Sequence, residues 1–167
     1  MVHVRIVSLS LDSVTKQPVV ILRPVDDHSD AGRFIPIWIG HAEATAILFG
    51  LQEIAPPRPM THDLLARIIA EMGATLTRVD IVRIEGGTFF ANIVLDGGEG
   101  QEWEIDARPS DSIALAVRTG APLFVSEQVL DEAAITAAPG ITEEAADSEV
   151  ERFREFLDHV DPSDFSS

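Results

Sequence analysis

The sequence predicts an α+β fold: a single domain on a mixed, mostly antiparallel sheet of hairpins, with helices inserted between them. Three observations support this class. The chain has 167 residues, which is a usual length for one domain. Runs rich in Val, Ile and Leu are separated by short polar or Gly-containing turns, as in hairpins. Segments with apolar residues at helical spacing lie between these runs.

The N-terminal third contains three predicted strands and a helix. The strands lie at 2–11, 19–22 and 33–39, and the helix runs from 42 to about 53. A turn at 13–17 joins the first two strands, and a polar loop at 26–32 precedes the third. Pro36 indicates a sheet edge or a bulge, because proline has no N–H to donate to the ladder.

The middle of the chain contains an amphipathic helix, a hairpin, a further strand and a buried helix. The predicted ranges are 61–72, 75–85, 88–95, 102–107 and 113–118, with a last short strand at 123–125. Thr61 is the expected N-cap of the amphipathic helix, and Ser110 or Asp111 that of the buried helix. Gly86 and Gly87 mark the hairpin turn.

The negative charge is concentrated at the C-terminal end. The chain has a net charge of −16; residues 1–126 carry 16 acids and 10 bases, whereas 127–167 carry 12 acids and two bases. We therefore expect a domain over 1–132 and an acidic helical extension and tail over 133–167. The segment 143–160, with the apolar residues Val150, Phe153, Leu157 and Val160, is expected to dock as a helix on the domain.

Several classes of protein are excluded or disfavoured. With no cysteine, the chain has no disulfide and no thiolate metal site. It has neither a signal-peptide pattern nor an apolar run long enough to span a bilayer, so we expect a cytoplasmic protein without membrane contact. There is no phosphate-binding glycine loop, and Phe89 and Phe90 are assigned to the core rather than to a base-stacking platform.

The first candidate site is the start of the amphipathic helix, Arg58-Pro59-Met60-Thr61-His62-Asp63. Helix N-termini present free N–H groups and a partial positive charge, which suit an anion such as phosphate. The alternative is that Thr61 and Asp63 only cap the helix. His62 is either an acid–base group or a solvated surface histidine.

The second candidate site is Asp106-Ala107-Arg108-Pro109-Ser110-Asp111. An arginine fork binds phosphate, and paired aspartates can hold a divalent cation or act as a base. The alternative is an Arg–Asp ion pair that locks the turn, with Ser110 as the cap.

The third candidate site is Gly40-His41-Ala42-Glu43. Glu43 is an acid, a metal ligand or simply a first-turn partner of the helix dipole. All three segments lie where a strand or loop leads into a helix, and sites in mixed sheets often assemble at such places.

At these residues the sequence resembles the bifunctional nuclease domain family of bacteria and plants. The resemblance runs from about Val4 to Leu130 and rests on the segments 34–40, 43–44, 58–64, 90–91 and 106–116. It implies an α+β fold, a dimer-like assembly and nuclease activity on RNA and DNA. The acidic segment from about Ala133 lies outside the family pattern.

These observations lead to a nuclease hypothesis. Arg58 and Arg108, with Thr61 and Ser110, would hold phosphate. His62, Asp106, Asp111 and Glu43 would supply acid–base groups, and a cation such as Mg²⁺ would bind Asp106 and Asp111. Convergence of four of these side chains is the expected signature of the enzyme: Arg58, His62, Arg108 and Asp111.

The alternative is a non-catalytic oligomeric or regulatory module. In that case the same residues are caps and ion pairs, and the acidic segment 143–157 binds a basic protein partner.

Overall fold

The computed structural model describes residues 1–12, 15–27 and 32–136. These residues form eight strands and four helices, which confirms the α+β class. The elements in chain order are β1 (Val2–Leu11), β2 (Pro18–Pro24), β3 (Arg33–Trp38), α1 (His41–Leu51), α2 (Thr61–Glu71), β4 (Thr75–Glu85), β5 (Thr88–Gly98), β6 (Gln101–Ala107), α3 (Pro109–Thr119), β7 (Leu123–Val125), α4 (Glu127–Ala133) and β8 (Ile135–Thr136).

The strands form one mixed sheet in the order β6-β5-β4-β7-β1-β2-β3-β8. Every neighbouring pair is antiparallel except β4 and β7, which run parallel with Val79 opposite Leu123. The hairpin β4–β5 turns at Gly86 and Gly87, whose φ angles of 56° and 80° are easily adopted by glycine. The predicted mixed, mostly antiparallel sheet of hairpins is confirmed.

The helix α3 lies at the centre of the helical layer. It packs against α1 and α2, and against β4 and β5 of the sheet. Its residues Ile113, Ala114, Leu115 and Ala116 are buried in the main hydrophobic core, as predicted for this segment. This central position places the N-terminus of α3 next to those of its two neighbours.

The two shortest strands are β7, which was predicted at 123–125, and β8, which was not predicted. β7 lies in the middle of the sheet, between β4 and β1, although it has only three residues. β8 follows α4 and pairs with Arg33 and Phe34 of β3. Among the described residues, β8 does not reach Pro36, which pairs only with Ile21 of β2, so Pro36 has the predicted edge position.

Most of the apolar stripe of α2 is exposed to solvent. Ile69 is buried against the sheet, whereas the outward side of the helix carries Leu64, Leu65, Ile68 and Met72. We call these four residues the α2 apolar face. On the edge strand β6, Trp103 and Ile105 are also partly exposed, on the sheet side that carries the core residues of β5.

The acidic C-terminal segment lies outside the described residues. This applies to the predicted docking helix at 143–160 and its apolar residues. The division into 1–132 and 133–167 therefore stays a proposal.

Candidate active site at three helix N-termini

The first turns of α1, α2 and α3 each carry a carboxylate at the third helical position. These residues are Glu43, Asp63 and Asp111. An acid at this position interacts favourably with the partial positive charge of a helix N-terminus. The three candidate segments from the sequence therefore share one local structure.

The caps of α2 and α3 differ from those predicted. Arg108, rather than Ser110 or Asp111, is the N-cap of α3, because the following Pro109 restricts Arg108 to extended backbone and itself suits the first helical position. Met60, rather than Thr61, is the N-cap of α2, and its N–H donates to Asp63 Oδ2 at 2.8 Å. Asp111 is consequently the third helical residue of α3, and its carboxylate is not used as a cap.

Four side chains from the three candidate segments meet in one ionic cluster. Arg108 donates twice to Asp111, from Nε to Oδ2 at 2.8 Å and from Nη2 to Oδ1 at 3.1 Å. Its Nη1 donates to Glu43 Oε1 at 3.0 Å. Nε2 of His62 lies 3.2 Å from Asp111 Oδ1. We call Glu43, His62, Arg108 and Asp111 the Asp111 cluster.

The cluster keeps Asp111 ionised. Burial alone would raise the pKa of Asp111, but the hydrogen bonds and charges of Arg108 and His62 outweigh burial and lower that pKa below its ordinary value. Hydrogen bonds and attraction from Asp111, and then Glu43, raise the pKa of Arg108. His62 is largely buried, with 14% of its side chain exposed, whereas 66% of the Arg108 side chain is exposed. The guanidinium therefore remains accessible to a ligand while the imidazole is held in place.

A cavity of about 320 Å³ opens beside the cluster. Glu43, Arg108 and Ser110 line it together with Trp38 and Phe89. Phe89 also packs against the hydrophobic core, as predicted, so its ring contacts the core and lines the cavity. The sequence analysis did not select Trp38 as a site residue. It could have been identified as a large aromatic residue at the end of a predicted strand, where it is exposed.

Glycine at position 40 is required by the close approach of Glu43. A Cβ atom at Gly40 would overlap the Glu43 carboxylate. The absence of a side chain thus lets Glu43 fold back over the start of α1 and reach Arg108.

Two of the sequence-predicted residues lie apart from the cluster. Arg58 lines a second cavity with Asp63, and no described contact joins it to His62, Arg108 or Asp111. Asp106 pairs with Asn92 across the β5–β6 ladder; by strand alternation it lies on the sheet face opposite Ala107, which packs against the core. The expected four-residue convergence is therefore observed for three of the four.

The donor groups do not fit a protein-bound metal centre with Asp106 and Asp111 as ligands. Both oxygens of Asp111 are engaged by Arg108 or His62, and Asp106 lies on the other sheet face. Within the described ranges, no three His, Asp or Glu side chains are grouped as metal ligands. We derive no catalytic step through a metal.

Arg118 is a structural residue that sequence reasoning missed. Its Nε donates to Asp63 Oδ1 at 2.6 Å, and its Nη1 donates to the carbonyl oxygens of Ala46 at 2.8 Å and Ala114 at 2.7 Å. It thereby links α1, α2 and α3. These partners are distant in sequence, so no local pattern indicates them.

The fold and site define an α+β domain with an ionic cluster at three converging helix N-termini. A family model of the bifunctional nuclease domain matches residues 20–138. The chain belongs to the bifunctional nuclease domain family.

No helix in the described part of the chain is long and apolar enough to cross a membrane.

Similar proteins occur in bacteria and plants. Two uncharacterized proteins from two strains of Mycobacterium tuberculosis are each 42% identical over 169 aligned residues, covering 99% of this chain and 98% of their own length. Bifunctional nuclease 1 of Oryza sativa subsp. indica is 25% identical over 65% of this chain and 33% of its own. Bifunctional nuclease 1 of Arabidopsis thaliana is 23% identical over 70% of this chain and 36% of its own.

Proposed function

We propose that this protein hydrolyses phosphodiester bonds of RNA, DNA or both at the Asp111 cluster. The observation that carries the proposal is the contact chain from His62 through Asp111 to Arg108. It joins an imidazole to an ionised carboxylate and an accessible guanidinium. The plant relatives named bifunctional nucleases support the same reaction class.

His62 is the proposed general acid or base. Its Nε2 lies 3.2 Å from Asp111 Oδ1, so the carboxylate orients the imidazole, and Nδ1 is the ring nitrogen proposed to exchange a proton with the substrate or water. Hydrolysis needs a base that activates water and an acid that protonates the leaving oxygen. Such help is typically worth about 10²–10⁴-fold in rate. Asp111 acts through His62 as a positioning residue.

Arg108 is the proposed phosphate ligand. Its guanidinium is mostly exposed and lines the 320 Å³ cavity with Ser110, while Asp111 and Glu43 fix its orientation. The helix N-termini at the cluster add partial positive charge that favours a phosphate. Trp38 and Phe89 supply aromatic surface on which a nucleobase can stack next to that phosphate.

The net charge of −16 opposes this function at long range. The repulsion arises largely from residues 127–167. For a phosphate to bind, the attraction from Arg108 and the helix N-termini must exceed this repulsion at the site. Surface charges separated by more than about 8 Å are largely screened at physiological salt.

We also propose a cytoplasmic homo-oligomer, most simply a dimer through the α2 apolar face. The four residues of this face are apolar, yet they are 37–77% exposed. Large exposed apolar patches typically mark contact surfaces. The alternative module that binds a basic partner relies on 143–157, outside the described residues.

The test is a cleavage assay on protein freed of host nucleases. We expect the wild type to cut single-stranded RNA or DNA, and His62→Ala to lose about 10²-fold or more of the rate with its fold intact. His3→Ala is the matched control, because His3 packs on Phe124 away from both cavities. A parallel arm with chelator measures any contribution from a divalent cation.

Two outcomes would contradict the proposal. A wild type that cuts neither RNA nor DNA would favour the non-catalytic module. Equal rates for the wild type and His62→Ala would remove His62 from the reaction.

A further inference from the structure

A second cavity, of about 540 Å³, lies beside the first turns of α2 and the end of α3. Three arginines line it: Arg58 from the loop before α2, Arg67 from α2 and Arg118 from α3. Its apolar walls include Phe49, Ile54, Pro56, Pro57 and Val117. We call it the arginine cavity.

The arginine cavity retains positive charge after its internal pairs are counted. Arg118 is matched by Asp63 and by two backbone carbonyls. Arg58 and Arg67 make no hydrogen bond or ion pair with other described residues, although Arg67 lies near enough to Asp63 to help lower the pKa of that carboxyl. Glu53 is the one acid left to oppose these two exposed guanidinium groups among the described lining residues.

Neighbouring residues of α2 contact the Asp111 cluster and line the arginine cavity. His62 on α2 faces the Asp111 cluster, whereas the next residue, Asp63, faces Arg118. Asp111 and Arg118 lie seven residues apart on α3, which is about 10 Å along a helix axis. This distance exceeds one internucleotide linkage, so a strand with two or more linkages is needed to span it.

We propose that the arginine cavity binds a phosphate of the substrate strand that flanks the phosphate held by Arg108. Arg58 and Arg67 donate to its oxygens, and the apolar walls contact the attached nucleoside. This inference rests on the proposed nuclease function and extends it, because it makes the preferred substrate an oligonucleotide rather than an isolated phosphodiester. A free nucleoside monophosphate presents the same chemistry, so the test separates the two sources.

The test measures equilibrium binding of fluorescent single strands to full-length protein carrying His62→Ala, which blocks cleavage. Adding Arg58→Gln and Arg67→Gln should weaken binding by about 10-fold or more at about 0.05 M salt. The slope of log affinity against log salt should fall in magnitude by about 0.7, the value for one lost phosphate contact on a single strand.

The matched control is Arg33→Gln with Arg83→Gln in the same background. It removes the same charge, and both arginines are accessible and line neither cavity. We expect a change of about twofold or less, since distant surface charges are screened. Equal losses in the two pairs of variants would overturn the proposal in favour of a general charge effect.

A second arm uses AMP as the probe. AMP binding lost in the Arg58/Arg67 pair, with strand binding unchanged, would assign the cavity to free nucleotides and overturn the strand proposal. Failure of the nuclease function is seen separately, as a wild type that does not cleave while the binding difference persists. This inference fails if the wild type cleaves but the Arg58/Arg67 and Arg33/Arg83 pairs of variants bind the single strand with the same affinity.

Discussion

Asp111→Asn isolates the contribution of one carboxylate to the cluster. The substitution keeps the size of the side chain but removes its negative charge. The Asp111 carboxylate accepts two hydrogen bonds from Arg108, and its Oδ1 lies 3.2 Å from His62 Nε2. Arg108 then keeps only Glu43 as an ionic partner. We expect the free energy of unfolding to fall and the His62 imidazole to be held less firmly in its orientation.

The expected loss of stability depends on how exposed the two partners of Asp111 are to solvent. Hydrogen bonds to charged groups are worth about 1.5–3 kcal/mol when sheltered, but exposed ion pairs are worth at most about 1 kcal/mol. Because Arg108 is 66% exposed and His62 only 14%, we expect the His62 contact to dominate. The free energy of unfolding should fall by about 1–2 kcal/mol, which lowers the melting temperature by about 3–6 °C.

The pH dependence gives the substitution a signature of its own. The pKa of Asp111 is lower in the folded protein than its ordinary value of 3.8. A lowered pKa stabilises the fold above the unfolded value, and this stabilisation disappears as the pH falls through the folded value. The difference between the wild type and Asp111→Asn should therefore shrink as the pH falls below about 4 and vanish in stronger acid.

Urea unfolding from pH 7 to pH 2.5, at low protein concentration because the pI is near 4.4, measures this difference. Asp131→Asn is the control, since Asp131 is 77% exposed and 3.7 Å from Arg33. A difference that persists unchanged in strong acid, where Asp111 is protonated, would refute the electrostatic account of the cluster.

Three further predictions concern the rest of the molecule. Arg118→Met should lower stability by about 3 kcal/mol in urea unfolding, because it leaves Asp63 largely buried without its partner; a loss below about 1 kcal/mol would contradict its linking role. Ile68→Glu with Met72→Glu should shift the protein to a folded monomer in sedimentation velocity, and an unchanged mass would exclude the α2 apolar face as the interface. Truncation after Ala138 should lower the melting temperature or the solubility if 143–160 docks on the domain, and unchanged values of both would refute docking.

Local sequence patterns predicted the elements whose cause is local. The Gly86–Gly87 turn fixes the hairpin on either side, and Gly120 ends α3 with a φ of 73°. The alternation of apolar residues located the long strands. These features depend on backbone preferences within a few residues, so they are visible without the fold.

The structural features that were missed depend on contacts between distant segments. β7 is central because β4 and β1 flank it, which a run of three residues does not reveal. Arg118 reaches Ala46, 72 positions away in the chain. Arg58 and His62 share a segment and a charge pattern, yet Arg58 lines the second cavity whereas His62 contacts Asp111.

A double-mutant cycle on cleavage tests the central claim most directly. The rates of the wild type, His62→Ala, Asp111→Asn and the double variant are compared on one oligonucleotide, after identical purification. If Asp111 acts through His62, each single variant should lose about 10²-fold or more, and the double variant should be no slower than the slower single variant. Losses that multiply in the double variant, or a wild-type rate in either single variant, would contradict a reaction carried by the Asp111 cluster.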